Sequence, residues 1–186
     1  MSDFEFLSVL VSIVIGLGLT HLLGGLGQAY YFRHVRKLDA AHLGWTVAVF
    51  FVLVLNWWVF LLWRDFNAWT FSAFFMIILW TTSMYILALA LYPPGRFDDV
   101  NYRTLFETNR TWFLATFTSM CLFDLLVTFM RDQAIPDPGY LAFVGHLAVI
   151  AAIGIYVRKR FFDVAAGWYI ATGMVLWSFG VRETLF

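Results

Sequence analysis

Long, uninterrupted apolar runs dominate the chain, and each is close to the roughly 20 residues that a helix needs to cross a bilayer. Backbone polar groups cannot stay unpaired in lipid, and no run alternates apolar and polar residues as a barrel strand does. The sequence therefore predicts an all-α integral membrane protein, with a bundle of six transmembrane helices in a single domain covering residues 1–186. The predicted spans are Phe6–Phe32, Leu43–Trp63, Trp69–Tyr92, Thr111–Met130, Tyr140–Val157 and Val164–Val181.

Composition supports lipid as the solvent. Apolar residues make up 62% of the chain and charged residues 13%, and the mean hydropathy is +0.78. An average soluble domain is about half apolar and about a quarter charged. The start of the chain, with Asp3 and Glu5, is acidic where a signal peptide is basic, and the run that follows is too long for one. We expect a first helix that is retained.

The cationic residues fall mainly on one side of the predicted bundle. An even number of spans puts both termini on the same side, and positive charge marks cytoplasmic loops. We therefore expect both termini on the non-cytoplasmic side of a bacterial inner membrane. The cytoplasmic loops then hold Arg33, Arg36, Lys37, Arg96, Arg103, Arg110, Arg158, Lys159 and Arg160, whereas the terminal side holds Arg64, Arg131 and Arg182.

The connection between the third and fourth spans contains the helix-breaking pair Pro93-Pro94. Asp98, Asp99 and Asn101 then offer side chains that can cap a new helix. Residues 100–110 are too polar to span a membrane. They either extend the fourth helix into the cytoplasm or lie along the membrane interface.

The first span carries a stripe of small and polar residues at intervals of four, with His21 near the middle of the span. Helices in lipid associate through close backbone approach and hydrogen bonds over such residues. The stripe indicates either a tightly packed central helix or a helix that lines a polar path in one subunit or around an oligomer axis. Its members are Ser8, Ser12, Gly16, Thr20, Gly24 and Gln28.

Four polar residues on four spans have similar predicted depths. Asp124 lies seven residues before Arg131, about 10 Å below the surface at ~1.5 Å per residue. His146, Asn56 and Ser12 lie seven or eight residues from their own span ends. A carboxylate within a membrane needs a partner. These four residues predict either a hydrogen-bonded packing cluster or a proton- or cation-handling site.

No cofactor or metal site is predicted. A haem would need two histidines at matching depth, and His21 is deeper than His146 by residue count. The sequence contains no phosphate loop, nucleophile motif or metal-ligand spacing, so we expect no enzyme activity. The net charge of zero gives no attraction to nucleic acid.

One short stretch resembles a known family. The pattern Phe6-x-Ser8-x-x-x-Ser12-Ile13, followed by Thr20-His21, is similar to the first pore helix of the bacterial and lysosomal filterless potassium channels. That family is built from six-helix units, and the resemblance implies an oligomer with the first helix on its axis. Val9 stands where the family has an aspartate, and we do not assign the chain to it.

Two functional hypotheses follow from these patterns. The first is a homo-oligomeric channel or transporter-like protein that moves an ion or proton along the first helix and the Asp124 layer. The second is a non-catalytic membrane subunit or scaffold that binds a membrane partner protein or a lipid through its helix faces.

Overall fold

The computed structural model describes residues 2–35, 37–94 and 101–181, and these residues form an entirely helical structure. The predicted all-α class is confirmed. A short 3-10 helix, Phe60–Trp63, continues the second α-helix. The six α-helices are α1 (Asp3–Tyr31), α2 (Ala40–Val59), α3 (Phe71–Leu91), α4 (Tyr102–Asp132), α5 (Pro138–Tyr156) and α6 (Arg160–Gly180).

Side-chain caps set most helix starts. The hydroxyl of Ser2 accepts from the backbone N–H of Glu5, whose carboxylate accepts from the N–H of Ser2, so α1 begins with a capping box. Asp39, Thr70, Asn101 and Asp137 cap α2 to α5 in turn. Asn101 starts α4 well before the predicted span, so residues 102–110 extend the fourth helix. Asp98 and Asp99 lie outside the described residues.

Five of the helices, α1 to α5, are long and apolar enough to cross a membrane. They support the prediction of a membrane protein with transmembrane helices. α6 is not among the five, so the sixth span stays a prediction, as does the side on which the termini lie.

The helices run alternately up and down, as their end contacts show. Phe4 near the start of α1 stacks on Phe60 beyond the end of α2. Arg110 near the start of α4 contacts the end of α5, and Asp39 at the start of α2 contacts Arg160 at the start of α6. We call the end that contains the starts of α2, α4 and α6 the basic end, and the opposite end the terminal end.

Glycines let α2 and α6 approach closely. A Cβ on Gly44 would lie 3.1 Å from the backbone nitrogen of Trp168, and one on Gly167 would lie 3.2 Å from the backbone nitrogen of Trp45. These distances are tighter than side chains normally allow, and the neighbouring atoms belong to backbone. The seam therefore favours glycine at both positions.

α1 lies at the edge of the bundle and packs through one apolar face. Leu7, Val11, Ile15, Gly18 and Leu22 are buried on this face. The opposite face exposes large apolar side chains, including Phe6 and Ile13, as expected for a surface that meets lipid.

Two histidines cap the end of α3. The last carbonyl groups of a helix lack partners within it, and the prolines at 93 and 94 carry no N–H. The Nε2 of His42 bonds the carbonyl oxygen of Leu91 at 2.8 Å, and the Nε2 of His21 bonds that of Tyr92 at 2.5 Å. This contact accounts for His21, which the sequence placed near the midplane.

Ion pairs tie the helices together at the basic end. Arg110, which sequence reasoning assigned to a cytoplasmic loop, is instead buried: its Nε donates to Asp163 at 2.8 Å, and its Nη2 donates to the carbonyl oxygens of Gly154 and Val157. Arg160 pairs with the buried carboxylate of Asp39. Arg36, Arg96 and Arg182, which entered the predicted charge bias, lie outside the described residues.

Candidate functional site

The candidate site centres on the buried carboxylate of Asp124, on the inner face of α4. Its Oδ1 accepts from the indole N–H of Trp80 on α3 at 3.1 Å. Its Oδ2 accepts a short hydrogen bond from the hydroxyl of Tyr140 on α5. Three helices therefore hold the carboxylate, and two of its contacts are neutral donors.

A second hydroxyl extends this arrangement toward the terminal end. Thr128 lies one turn beyond Asp124 on α4, and its Oγ1 is 3.1 Å from the hydroxyl oxygen of Tyr140. Thr128 and Asp124 thus flank the same phenol. The three residues form a continuous chain of hydrogen bonds from Thr128 through Tyr140 to Asp124.

Asp124 and Tyr140 line a cavity between α2, α4, α5 and α6. The volume accessible to water is about 40 Å³. This is enough for one or a few water molecules at ~10–15 Å³ each. Its polar wall is made by Asp124, Tyr140 and Asn56, whereas Phe117, Leu147 and other apolar side chains form the rest.

Two further spaces lie between this region and the surface at the terminal end. A small cavity of about 20 Å³ shares Asp124 and Tyr140 with the deep cavity and is also lined by Thr128 and Arg131. An open recess of about 410 Å³ shares Arg131 with the small cavity. The shared residues mark a line of spaces from the surface to the carboxylate.

Aromatic packing closes the deep cavity toward the basic end. Phe117, which lines the cavity, packs 5.4 Å from Trp45 between ring centroids. Phe113, one turn nearer the start of α4, lies 5.0 Å from the same indole. Arg110 and its partner Asp163 follow in the next turn. The aromatic side chains and the ion pair therefore lie between the deep cavity and the basic end.

Four polar residues were predicted to share one depth in the membrane. The structure brings two of them to one cavity and places the other two elsewhere. Asp124 and Asn56 line the deep cavity, and the amide of Asn56 donates to the carbonyl oxygen of Val52. Ser12 accepts from the indole N–H of Trp57 at 3.1 Å. His146 bonds its own helix at Ala142 and packs its ring against Phe143 and Tyr169.

The stripe on α1 is away from this site. Thr20, Gly24 and Gln28 are exposed, whereas Ser8, Ser12, Gly16 and His21 are partly buried. A Cβ on Gly16 or Gly24 would meet nothing within 4 Å. Within one chain, the stripe contacts α2 at Ser12 but does not line the cavity.

Sequence reasoning missed three donors around Asp124. Thr128 was detectable, because it follows Asp124 by four residues and so lies on the same helix face. Tyr140 was placed at the end of one apolar span and Trp80 in the middle of another, and aromatic residues are common in such spans. Their roles depend on helix rotation, which the hydropathy pattern does not give.

Comparison with protein-family models, curated proteins and solved structures finds no match to this chain. The fold alone defines the class: an all-helical protein whose helices α1 to α5 have the length and hydropathy of membrane spans. Function has to be argued from the Asp124 site itself.

Proposed function

We propose that this protein is a membrane channel or transporter-like protein that moves a proton or a small cation past Asp124. The observation that carries the proposal is a buried carboxylate that borders two neighbouring cavities, the smaller of which adjoins an open recess at the terminal end. Ionisable groups inside membrane spans are costly and commonly mark ion or proton pathways.

The proposed path lies within one chain, between α2, α4, α5 and α6. It therefore differs from the sequence hypothesis, in which the first helix lined the path. Transport past Asp124 would also need a second state, because the packing of Trp45 and Phe117 blocks the cavity toward the basic end in this one. In the other state, the cavity opens toward the basic end.

The proposal includes six spans, with α6 as the sixth. Its 21 residues reach about 32 Å at ~1.5 Å per residue, close to the thickness of a hydrocarbon core. α6 also follows α2 from the Arg160–Asp39 pair to the Gly44–Gly167 contact. With α6 inserted, both termini lie on one side, which we assign to the non-cytoplasmic side of a bacterial inner membrane.

The test is ion flux in liposomes containing the purified protein. We expect flux in the native protein and its loss in Asp124→Asn, which keeps the size of the side chain. His146→Asn, at a polar residue away from the cavity, is the matched control and should carry normal flux. Native flux that survives Asp124→Asn would remove Asp124 from the path. A native protein without flux would contradict transport.

The second candidate function is a non-catalytic membrane subunit, and it is favoured by the uncovered stripe on α1. A Cβ on Gly16 or Gly24 meets open space, and such small residues allow close helix approach in lipid. A second copy or a membrane partner protein is the expected occupant. Under this hypothesis Gly24→Leu lowers the mass of the native particle in mild detergent and leaves thermal stability unchanged, whereas an unchanged mass argues against a helix partner on this face.

A further inference from the structure

The hydrogen-bonded chain of Thr128, Tyr140 and Asp124 indicates which species the protein transports. This point rests on the proposed function and makes it more specific. We infer that the species is a proton, delivered from the terminal end to Asp124 through the hydroxyl groups of Thr128 and Tyr140.

The directions of these hydrogen bonds support the delivery of a proton from the terminal end to Asp124. Tyr140 has one hydroxyl hydrogen, which it donates to Oδ2 of Asp124. The contact of 3.1 Å between Thr128 and Tyr140 must then use the hydrogen of Thr128. Both hydroxyl hydrogens point from the terminal end toward the carboxylate, which is the orientation that a proton relay needs.

The transfer step balances without another reactant. The O–H bond of Tyr140 breaks as an O–H bond forms on Oδ2 of Asp124. The phenol oxygen takes the hydrogen of Thr128, and the oxygen of Thr128 takes a proton from hydronium in the small outer cavity. Both hydroxyl groups are restored, and one proton has moved from water to Asp124.

The cavity is poorly built for a metal cation. A metal ion that leaves water must replace its hydration shell with several oxygen ligands. The deep cavity supplies side-chain oxygens from Asp124, Tyr140 and Asn56 amid a mainly apolar lining. Within residues 2–35, 37–94 and 101–181, no group of three His, Cys, Asp or Glu side chains is placed to hold a metal ion.

The charged and titratable groups around Asp124 also favour a proton. α5 contributes Tyr140, and α4 contributes Cys121 and Arg131. The cavity-lining residues of α2, α3 and α6 carry no charge. The guanidinium of Arg131 lies between the small cavity and the recess, and it is paired with the carboxylate of Asp132. The linings of the two cavities thus contain a single carboxylate, which can accept a proton but offers a metal cation only one charged ligand.

The experiment measures proton entry into liposomes with an internal pH dye, under an imposed membrane potential and with choline replacing sodium and potassium outside. We expect native proton flux in choline and at least about a tenfold loss in Tyr140→Phe, as for removal of a proton-transfer group. Tyr169→Phe, at an exposed tyrosine away from the cavity, is the matched control and should keep native flux.

Thr128 provides a second variant that keeps the result interpretable if Tyr140→Phe is unstable. Thr128→Val removes the hydroxyl at constant size and should lower proton flux, whereas Thr128→Ser should restore it. A native flux that requires sodium or potassium, or normal proton flux in folded Tyr140→Phe, would overturn the relay while leaving transport intact. Flux that is insensitive to Asp124→Asn would instead contradict the proposed function.

Discussion

Asp163 and Asp124 are both buried carboxylates on inward helix faces, but they lie in opposite surroundings. Asp163, at the basic end, faces the guanidinium of Arg110, which also binds two carbonyl oxygens at the end of α5. Asp124, in the terminal half, accepts from an indole and a phenol and borders a cavity. The first arrangement joins three helices, whereas the second leaves space for water.

The difference separates a structural use of a buried charge from a candidate functional one. A buried charge pair resists change, since removal of one partner leaves the other charge buried alone. A carboxylate held by neutral hydroxyl and N–H donors can exchange a proton while its neighbours keep their places. We therefore expect substitutions at the basic end to act on stability and those near Asp124 to act on transport.

The largest expected effect on stability is that of Arg110→Met. The substitution leaves the carboxylate of Asp163 buried without its guanidinium and removes the donor to Gly154 and Val157. We expect a loss of about 3–5 kcal/mol in the free energy of unfolding, measured by denaturation in mild detergent. Arg103→Met, at an exposed pair with Glu107, is the control and should change stability little. Equal effects of the two substitutions on stability would show that the buried pair does not stabilise the basic end more than an exposed pair does.

The next largest effect is expected at the glycine seam of α2 and α6. Gly44→Val forces side-chain atoms against the backbone of Trp168 and should cost about 1–3 kcal/mol. A Cβ on Gly145 would meet no atom within 4 Å, so Gly145→Ala should be neutral or stabilise α5 through helix propensity. Thermal unfolding of both variants checks the contrast, and a stable Gly44→Val protein would mean that α2 and α6 do not approach this closely.

Removal of a histidine cap of α3 should give a similar or smaller loss of stability. His42→Leu leaves the buried carbonyl oxygen of Leu91 without its partner and should cost about 1–3 kcal/mol. His146→Leu removes a bond to the histidine's own helix and should cost about 0.5 kcal/mol or less. The two melting temperatures give the comparison, and a smaller shift for His42 than for His146 would contradict the cap.

The smallest effect on stability is expected for Asp124→Asn. Asparagine keeps the volume of the side chain, an acceptor for Trp80 and a polar group facing Tyr140, so we expect a change of about 1 kcal/mol or less. Unfolding in detergent, compared with Arg110→Met, measures it. A loss as large as that of Arg110→Met would make Asp124 a structural residue like Asp163.

The sequence predicts the helical class and most span positions because apolar length alone requires helices in lipid. It also identifies Asp124, since a carboxylate within an apolar run is unusual in itself. It does not give helix rotation, so His146, at a matching depth, lies outside the cavity, while Tyr140 and Trp80 reach Asp124. Arg110 was misplaced for a related reason: a charge at the edge of a span looks like a loop residue until a partner on another helix, Asp163, is known.

The most direct measurement for the central claim is infrared difference spectroscopy of the protein in lipid, as the pH on the terminal side is changed. A carboxyl group that gains a proton adds a C=O stretching band, and we expect such a band in the native protein and its absence in Asp124→Asn. Asp163→Asn gives the matched comparison and should retain the band. A native spectrum without a protonation band, or a band that persists in Asp124→Asn, would contradict the claim that Asp124 takes up a proton.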